Sequence, residues 1–120
     1  MKTVLLIDDE PELLELLEYY FKHLNFVVIA VPDVISVEAV AKINPDIIVL
    51  DYHVENKSGG QLCQELKATD ETRNIPVLMM SGDEQLPQLA AASFADGYLE
   101  KPFEISALNE AVKRISIFAA

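Results

Sequence analysis

The stretch VLLIDDE, Val4 to Glu10, followed at once by PELLELLEYYFKHL, Pro11 to Leu24, decides the fold. Val4 to Ile7 is a short apolar run with β-branched residues at its ends, the pattern of a strand buried on both faces. Three acidic residues then stop it. After Pro11 the apolar residues Leu13, Leu16, Leu17, Tyr20, Phe21 and Leu24 fall on one helical face, while Glu12, Glu15, Glu18 and Lys22 fill the other. Glu18 and Lys22 form a favourable i,i+4 pair. Asp9 reads as a candidate N-cap here, with Glu12 completing a capping box. The unit is strand, acidic turn, helix.

The same unit recurs along the chain. Phe26 to Val31, Ile47 to Leu50 and Ile75 to Met80 repeat the strand character, and Gly97 to Leu99 is a weaker candidate. Asp33 is the expected cap of a helix carrying Val37, Val40 and Ile43, which stops at Asn44-Pro45. Ser58 caps a helix through Leu62 and Leu66, with Gln61 three residues on. Pro87 to Ala92 reads as a short alanine-rich helix. Ile105, Leu108, Val112 and Ile115 mark the last one. Strand starts lie about 20 to 28 residues apart, as parallel crossovers require. The fold class is α/β, a doubly wound five-stranded parallel sheet in one domain, residues 1–120. Such sheets bind ligands beyond the carboxyl ends of their strands.

Composition excludes several functions. Nine basic residues face 20 acidic ones, a formal net charge of −11. Direct nucleic-acid binding needs clustered Lys and Arg, and only Lys113 and Arg114 adjoin each other. The charge instead favours cations or basic partners. Hydrophobic residues make up 51%, too many for a disordered acidic tail. No apolar run reaches the roughly 18 residues a membrane span needs, and Asp8 to Glu10 cut short any signal-peptide core. Cys63, the only cysteine, allows no internal disulfide or cysteine-based zinc site and reads as a small core residue, fitting a reducing compartment. Met79-Met80 reads as core. His23 reads as a helix C-terminal histidine near the dipole's negative end rather than as a phosphohistidine.

The predicted strand ends share a theme. Asp8-Asp9-Glu10, Asp51, Ser81-Gly82 and Glu100-Lys101-Pro102-Phe103 all fall at the carboxyl edge. Each has an ordinary explanation: a cap, a solvated strand end, a turn, a surface lysine. Four such coincidences on one rim are far less probable than one. Carboxylates gathered at one point repel each other and call for a hard cation such as Mg²⁺. A lysine adds a mobile positive donor. Metal, lysine and a serine hydroxyl around a carboxylate suit a phosphoryl group carried on that carboxylate.

Together VLLIDDE (Val4 to Glu10), DIIVLDYH (Asp46 to His53), PVLMMSG (Pro76 to Gly82) and DGYLEKPF (Asp96 to Phe103) resemble the response-regulator receiver, or CheY-like, family over the whole chain. The resemblance implies a (βα)5 flavodoxin-like sheet of strand order 2-1-3-4-5. It implies that Asp51 is the phosphoacceptor. Asp8, Asp9, Asp51 and the backbone carbonyl of His53 would hold Mg²⁺ (or Mn²⁺). Ser81 and Lys101 would contact the phosphoryl oxygens, and Tyr98 with Ser81 would form the switch. His53 and Asp83 would tune phosphoryl lifetime. The Lys101-Pro102 bond would be cis. The implied donor is a histidine kinase or histidine phosphotransfer domain. The implied output is a changed face of the fourth helix, fifth strand and fifth helix, which could include a phosphorylation-dependent dimer, in a cytoplasmic protein that catalyses only its own phosphorylation and dephosphorylation. The chain reads as a stand-alone regulator or a receiver cut from a longer protein such as a hybrid kinase.

Two positions depart from the family pattern. Glu55 stands where a proline is usual, four residues after Asp51. Phe94 stands where glycine is common, and reads first as a bulky packing substitution, second as a partner contact. Other functions fit less well. A haloacid-dehalogenase-type phosphatase wants an acid where His53 stands, and a cap insertion. A flavin or nucleotide carrier wants a glycine-rich loop after the first strand, and Gly59, Gly60, Gly82 and Gly97 all lie elsewhere. A receiver that works without phosphorylation would not need all of Asp8, Asp9, Asp51, Ser81 and Lys101.

Overall fold

Alternation within the apolar runs determines how the layers assemble. A computed structural model of the chain describes residues 1–54 and 57–119, with side-chain exposure described through Ile115. Five strands, numbered in chain order, form one parallel sheet: β1 Thr3–Ile7, β2 Val27–Val31, β3 Ile47–Asp51, β4 Val77–Ser81 and β5 Gly97–Glu100. Their spatial order is β2-β1-β3-β4-β5, as expected. Five helices connect and flank them: α1 Pro11–His23, α2 Val37–Ile43, α3 Gly59–Lys67, α4 Leu86–Ala92 and α5 Ile105–Ala119.

Side chains alternate across a strand, so the sheet feeds two cores. Leu5, Ile7, Ile48, Leu50, Val77 and Met79 pack with residues of α2, α3 and α4. Val4, Leu6, Val49, Leu78 and Met80 pack with Leu17 and Phe21 of α1 and with Leu108, Val112 and Ile115 of α5. Met79 and Met80 are both core, on opposite sides of the sheet. The edge strands β2 and β5 are only partly covered, because each has a neighbour on one side alone. Among the described residues, no helix is long and apolar enough to cross a membrane.

Local chemistry sets the helix ends. The N-cap of α2 is Ser36, whose Oγ accepts the Ala39 N–H at 3.1 Å, and not Asp33. Asp33 is instead engaged by the Val34 N–H and the Lys57 ammonium. The N-cap of α1 is Glu10, not Asp9, and its side chain makes no capping bond; Pro11 opens the helix. The expected Ser58 cap is present, its Oγ accepting the Gln61 N–H at 3.1 Å. A short antiparallel ladder, His53–Val54 against Lys57–Ser58, precedes α3 and carried no signal in the sequence. Glu55 lies outside the described residues.

Two helices end alike. After α1, Asn25 takes φ 64°, with its N–H on Lys22 O and the Phe26 N–H on Phe21 O. After α4, Phe94 takes φ 63°, with its N–H on Ala91 O and the Ala95 N–H on Ala90 O. Both are left-handed closures that favour glycine or asparagine. Phe94 is 66% exposed, so the packing expectation for it is overturned. It fills no gap, and it holds a backbone conformation unfavourable to a Cβ.

Candidate functional site

Register brings the acidic residues together. Ile7 pairs with Leu50, so Asp8 and Asp51 leave adjacent strands at the same level. They emerge between β1 and β3, where the order reverses because β2 lies on the other side of β1. Oxygens of Asp8, Asp9 and Asp51 lie within 4.8 Å of one another, close enough to share a cation. Asp8 and Asp51 are buried. An oxygen-only set of this kind fits Mg²⁺ rather than a softer ion.

Lys101 reaches this cluster from the end of β5. Its Nζ donates to Asp8 Oδ2 at 2.9 Å, Asp51 Oδ2 at 2.9 Å and Glu10 Oε1 at 3.1 Å. Its backbone N–H holds Ser81 O at 2.9 Å, and the Lys101-Pro102 bond is cis, as expected. Burial works against the Lys101 charge, but hydrogen bonds and attraction from Asp51 and Asp8 outweigh it and hold the ammonium above the ordinary lysine range. Burial raises the Asp8 carboxyl above its usual range, although the Glu10 N–H and Lys101 pull the other way. Both shifts favour retaining a proton, at Lys101 through its carboxylate partners and at Asp8 chiefly through burial.

The remaining residues frame a cleft of about 610 Å³. Asp9, Asp51, His53, Ser81 and Lys101 all line it, beside an apolar wall that includes Leu13 and Phe103. The His53 N–H points at Asp51 Oδ1, 3.3 Å away. Ser81 is buried at the end of β4, and its Oγ accepts the Asp83 N–H at 3.0 Å. Asp83 in turn holds the Gln85 N–H just before α4. Tyr98 does not reach the cleft. It lies on β5, 48% exposed, beside a second cavity of about 480 Å³ between α4 and α5.

Two participants were missed from the sequence. From the sequence Glu10 is one of the acids at the first strand end and carries no role of its own, yet its side chain crosses to Lys101. Gly59 opens α3 directly beneath the site, with its N–H on Tyr52 O at 2.7 Å. A Cβ there would collide with the Asp51 carbonyl. The Gly59-Gly60 pair was the available signal. Cys63 is buried, and burial pushes its thiol up to about 11, so it is core and not a nucleophile. His23 is exposed in the last turn of α1, its Nδ1 3.0 Å from Tyr19 O, and it does not line the cleft.

Comparison with known proteins agrees with this geometry. The family model for the response regulator receiver domain matches residues 4–113. The DNA-binding dual master transcriptional regulator RpaA of Synechocystis is 31% identical over 118 residues, which are 96% of this chain and 49% of RpaA. This chain spans about half or less of the length of the curated relatives it matches. The chemotaxis protein CheY4 of Vibrio cholerae superposes with a TM-score of 0.83 at 21% identity, covering 96% of this chain and 98% of CheY4. The receiver domain of sensor histidine kinase PA1611 from Pseudomonas aeruginosa, solved with a magnesium ion in its active-site cleft, gives 0.79 at 20% identity, covering 96% and 98%. With its fold and its sequence both matching one family, this chain belongs to the response regulator receiver domains of two-component signalling.

Proposed function

We propose that the chain is a phosphorylatable switch whose acceptor is Asp51. The observation that carries this reading is Lys101, whose one ammonium bridges Asp8 and Asp51 at 2.9 Å each while Asp9 stands within shared-ligand distance. A buried, net negative cluster of this kind is costly unless it binds something positive. The donor is a phosphohistidine of a histidine kinase or phosphotransfer domain. An Asp51 carboxylate oxygen attacks phosphorus, the N–P bond breaks, and an acyl phosphate forms. Mg²⁺ (or Mn²⁺), held by Asp8, Asp9, Asp51 and the His53 carbonyl, would supply positive charge against the crowded oxygens. The magnesium in the PA1611 cleft supports that choice. Lys101 keeps Asp51 oriented and then binds a phosphoryl oxygen. Water later cleaves the O–P bond, so the chain acts on itself and turns over no other substrate.

The output runs through Ser81. Its hydroxyl leaves the Asp83 N–H to meet the phosphoryl group, which loosens the turn that starts α4, and Tyr98 moves inward from its exposed position. The altered surface of α4, β5 and α5 then changes partner binding, self-association included. Only a few kcal/mol of differential stabilisation is needed. His53 and Asp83, beside Asp51 and Ser81, set the phosphoryl lifetime. A cytoplasmic setting fits the buried, unpaired Cys63.

Incubation with a small phosphodonor and Mg²⁺ tests this reading. Mass spectrometry should show one added phosphoryl group on the wild type and none on Asp51→Asn. A wild type that never gains the mass overturns the proposal.

A further inference from the structure

Lysine's ammonium has three N–H donors and no acceptor. At Lys101 three carboxylate oxygens, from Asp8, Asp51 and Glu10, meet those three donors. A phosphoryl oxygen on Asp51 therefore finds no donor free, and one existing bond must open.

The three partners differ in how readily they let go. Asp8 is buried, and its other oxygen already accepts the Glu10 N–H at 2.8 Å. Asp51 is buried and carries the incoming group. The Glu10 side chain is 61% exposed, and its bond is the longest of the three. Water replaces Lys101 there at little cost, because exposed ion pairs are weak. The Glu10 backbone is pinned by its N–H on Asp8 and by its carbonyl, which accepts the Leu14 N–H. Only its side chain needs to move.

We infer that Glu10 is a positioning residue that acts through Lys101: it occupies the third N–H while Asp51 is bare and yields it to the phosphoryl oxygen. The inference rests on the phosphoacceptor reading of Asp51. Glu10 thereby favours the unphosphorylated form, since every phosphorylation breaks its bond.

Calorimetric titration with beryllofluoride, a phosphoryl mimic, at saturating Mg²⁺ separates the cases. Glu10→Gln should bind beryllofluoride about two- to fivefold more tightly than wild type, the size of one exposed ion pair. Glu10→Asp keeps the charge but is one methylene too short to span from the pinned backbone, and should gain similarly. A gain confined to Glu10→Gln would mean simple charge repulsion and overturn the inference, as would equal affinity in all three proteins. A wild type that takes up no beryllofluoride overturns the phosphoacceptor reading and this one with it.

Discussion

Two lysines sit at opposite ends of the sheet, and each meets three oxygens. Lys67, near the amino ends of β4 and β5, donates to Asp96 Oδ2 at 2.7 Å, Ile75 O at 2.7 Å and Arg73 O at 3.2 Å. Asp96 Oδ2 also accepts the Val77 N–H at 2.8 Å. One cation faces one anion and two neutral carbonyls, and that end is electrically closed. Lys101, at the carboxyl ends, faces Asp8, Glu10 and Asp51 with Asp9 close by. That end is left open by several negative charges. The first arrangement stabilises the fold, and the second costs stability, as suits the ligand site proposed there.

Breaking the closed end should have the largest effect. Asp96→Ala leaves the mostly buried Lys67 ammonium without its carboxylate and the Val77 N–H without its side-chain partner. Urea unfolding should show a loss of about 2 to 3 kcal/mol. A loss below about 1 kcal/mol would class the pair with ordinary surface ion pairs.

The closed end also makes a pH prediction. Cys63 lies near Lys67 and Asp96, whose opposite pulls leave burial as the main influence on its thiol. The folded value of about 11 exceeds the reference 9.0. Folding then holds the proton more tightly than the unfolded chain does. That contribution is fully present below pH 9.0 and is lost as pH rises toward about 11. Relative to Cys63→Ala, the wild type should lose about 2 kcal/mol by about pH 10.5. Parallel pH profiles for the two proteins would contradict the burial argument.

At the open end the sign reverses. Asp8→Asn removes a buried charge that the fold disfavours and should raise the stability of the metal-free protein in urea unfolding. Mg²⁺ should raise the wild-type melting temperature and raise that of Asp8→Asn less, because the proposed binding is to the folded cluster. Destabilisation by Asp8→Asn without metal would erase the contrast between the two ends. The smallest effect belongs to Phe94, a left-handed aromatic near the closed end. Phe94→Gly relieves a left-handed Cβ and should gain about 0.5 to 1 kcal/mol in thermal unfolding, with little burial lost.

Much of this contrast was legible in the residues. Short apolar runs gave the strands, their order along the chain gave the parallel sheet, and four polar strand ends gave the rim. Side-chain reach was not legible. Periodicity assigns Glu10 to a turn but does not say that its carboxylate crosses to Lys101, 91 positions away in sequence. Asp33 and Ser36 were equally good capping types; Lys57, from a distant segment, drew Asp33 away. The same limit hid Phe94, since a left-handed closure is written by glycine or asparagine when it is written at all, as at Asn25. The ladder at His53–Val54 is two residues a side, too short for any period to register.

Neighbouring residues of one strand, such as Met79 and Met80, enter separate hydrophobic layers. A substitution on one side of the sheet is thus screened from the other by a whole backbone plane. Paired changes across the sheet should add, whereas paired changes within one layer should interact. The two layers can thus be repacked one at a time, each without disturbing the other.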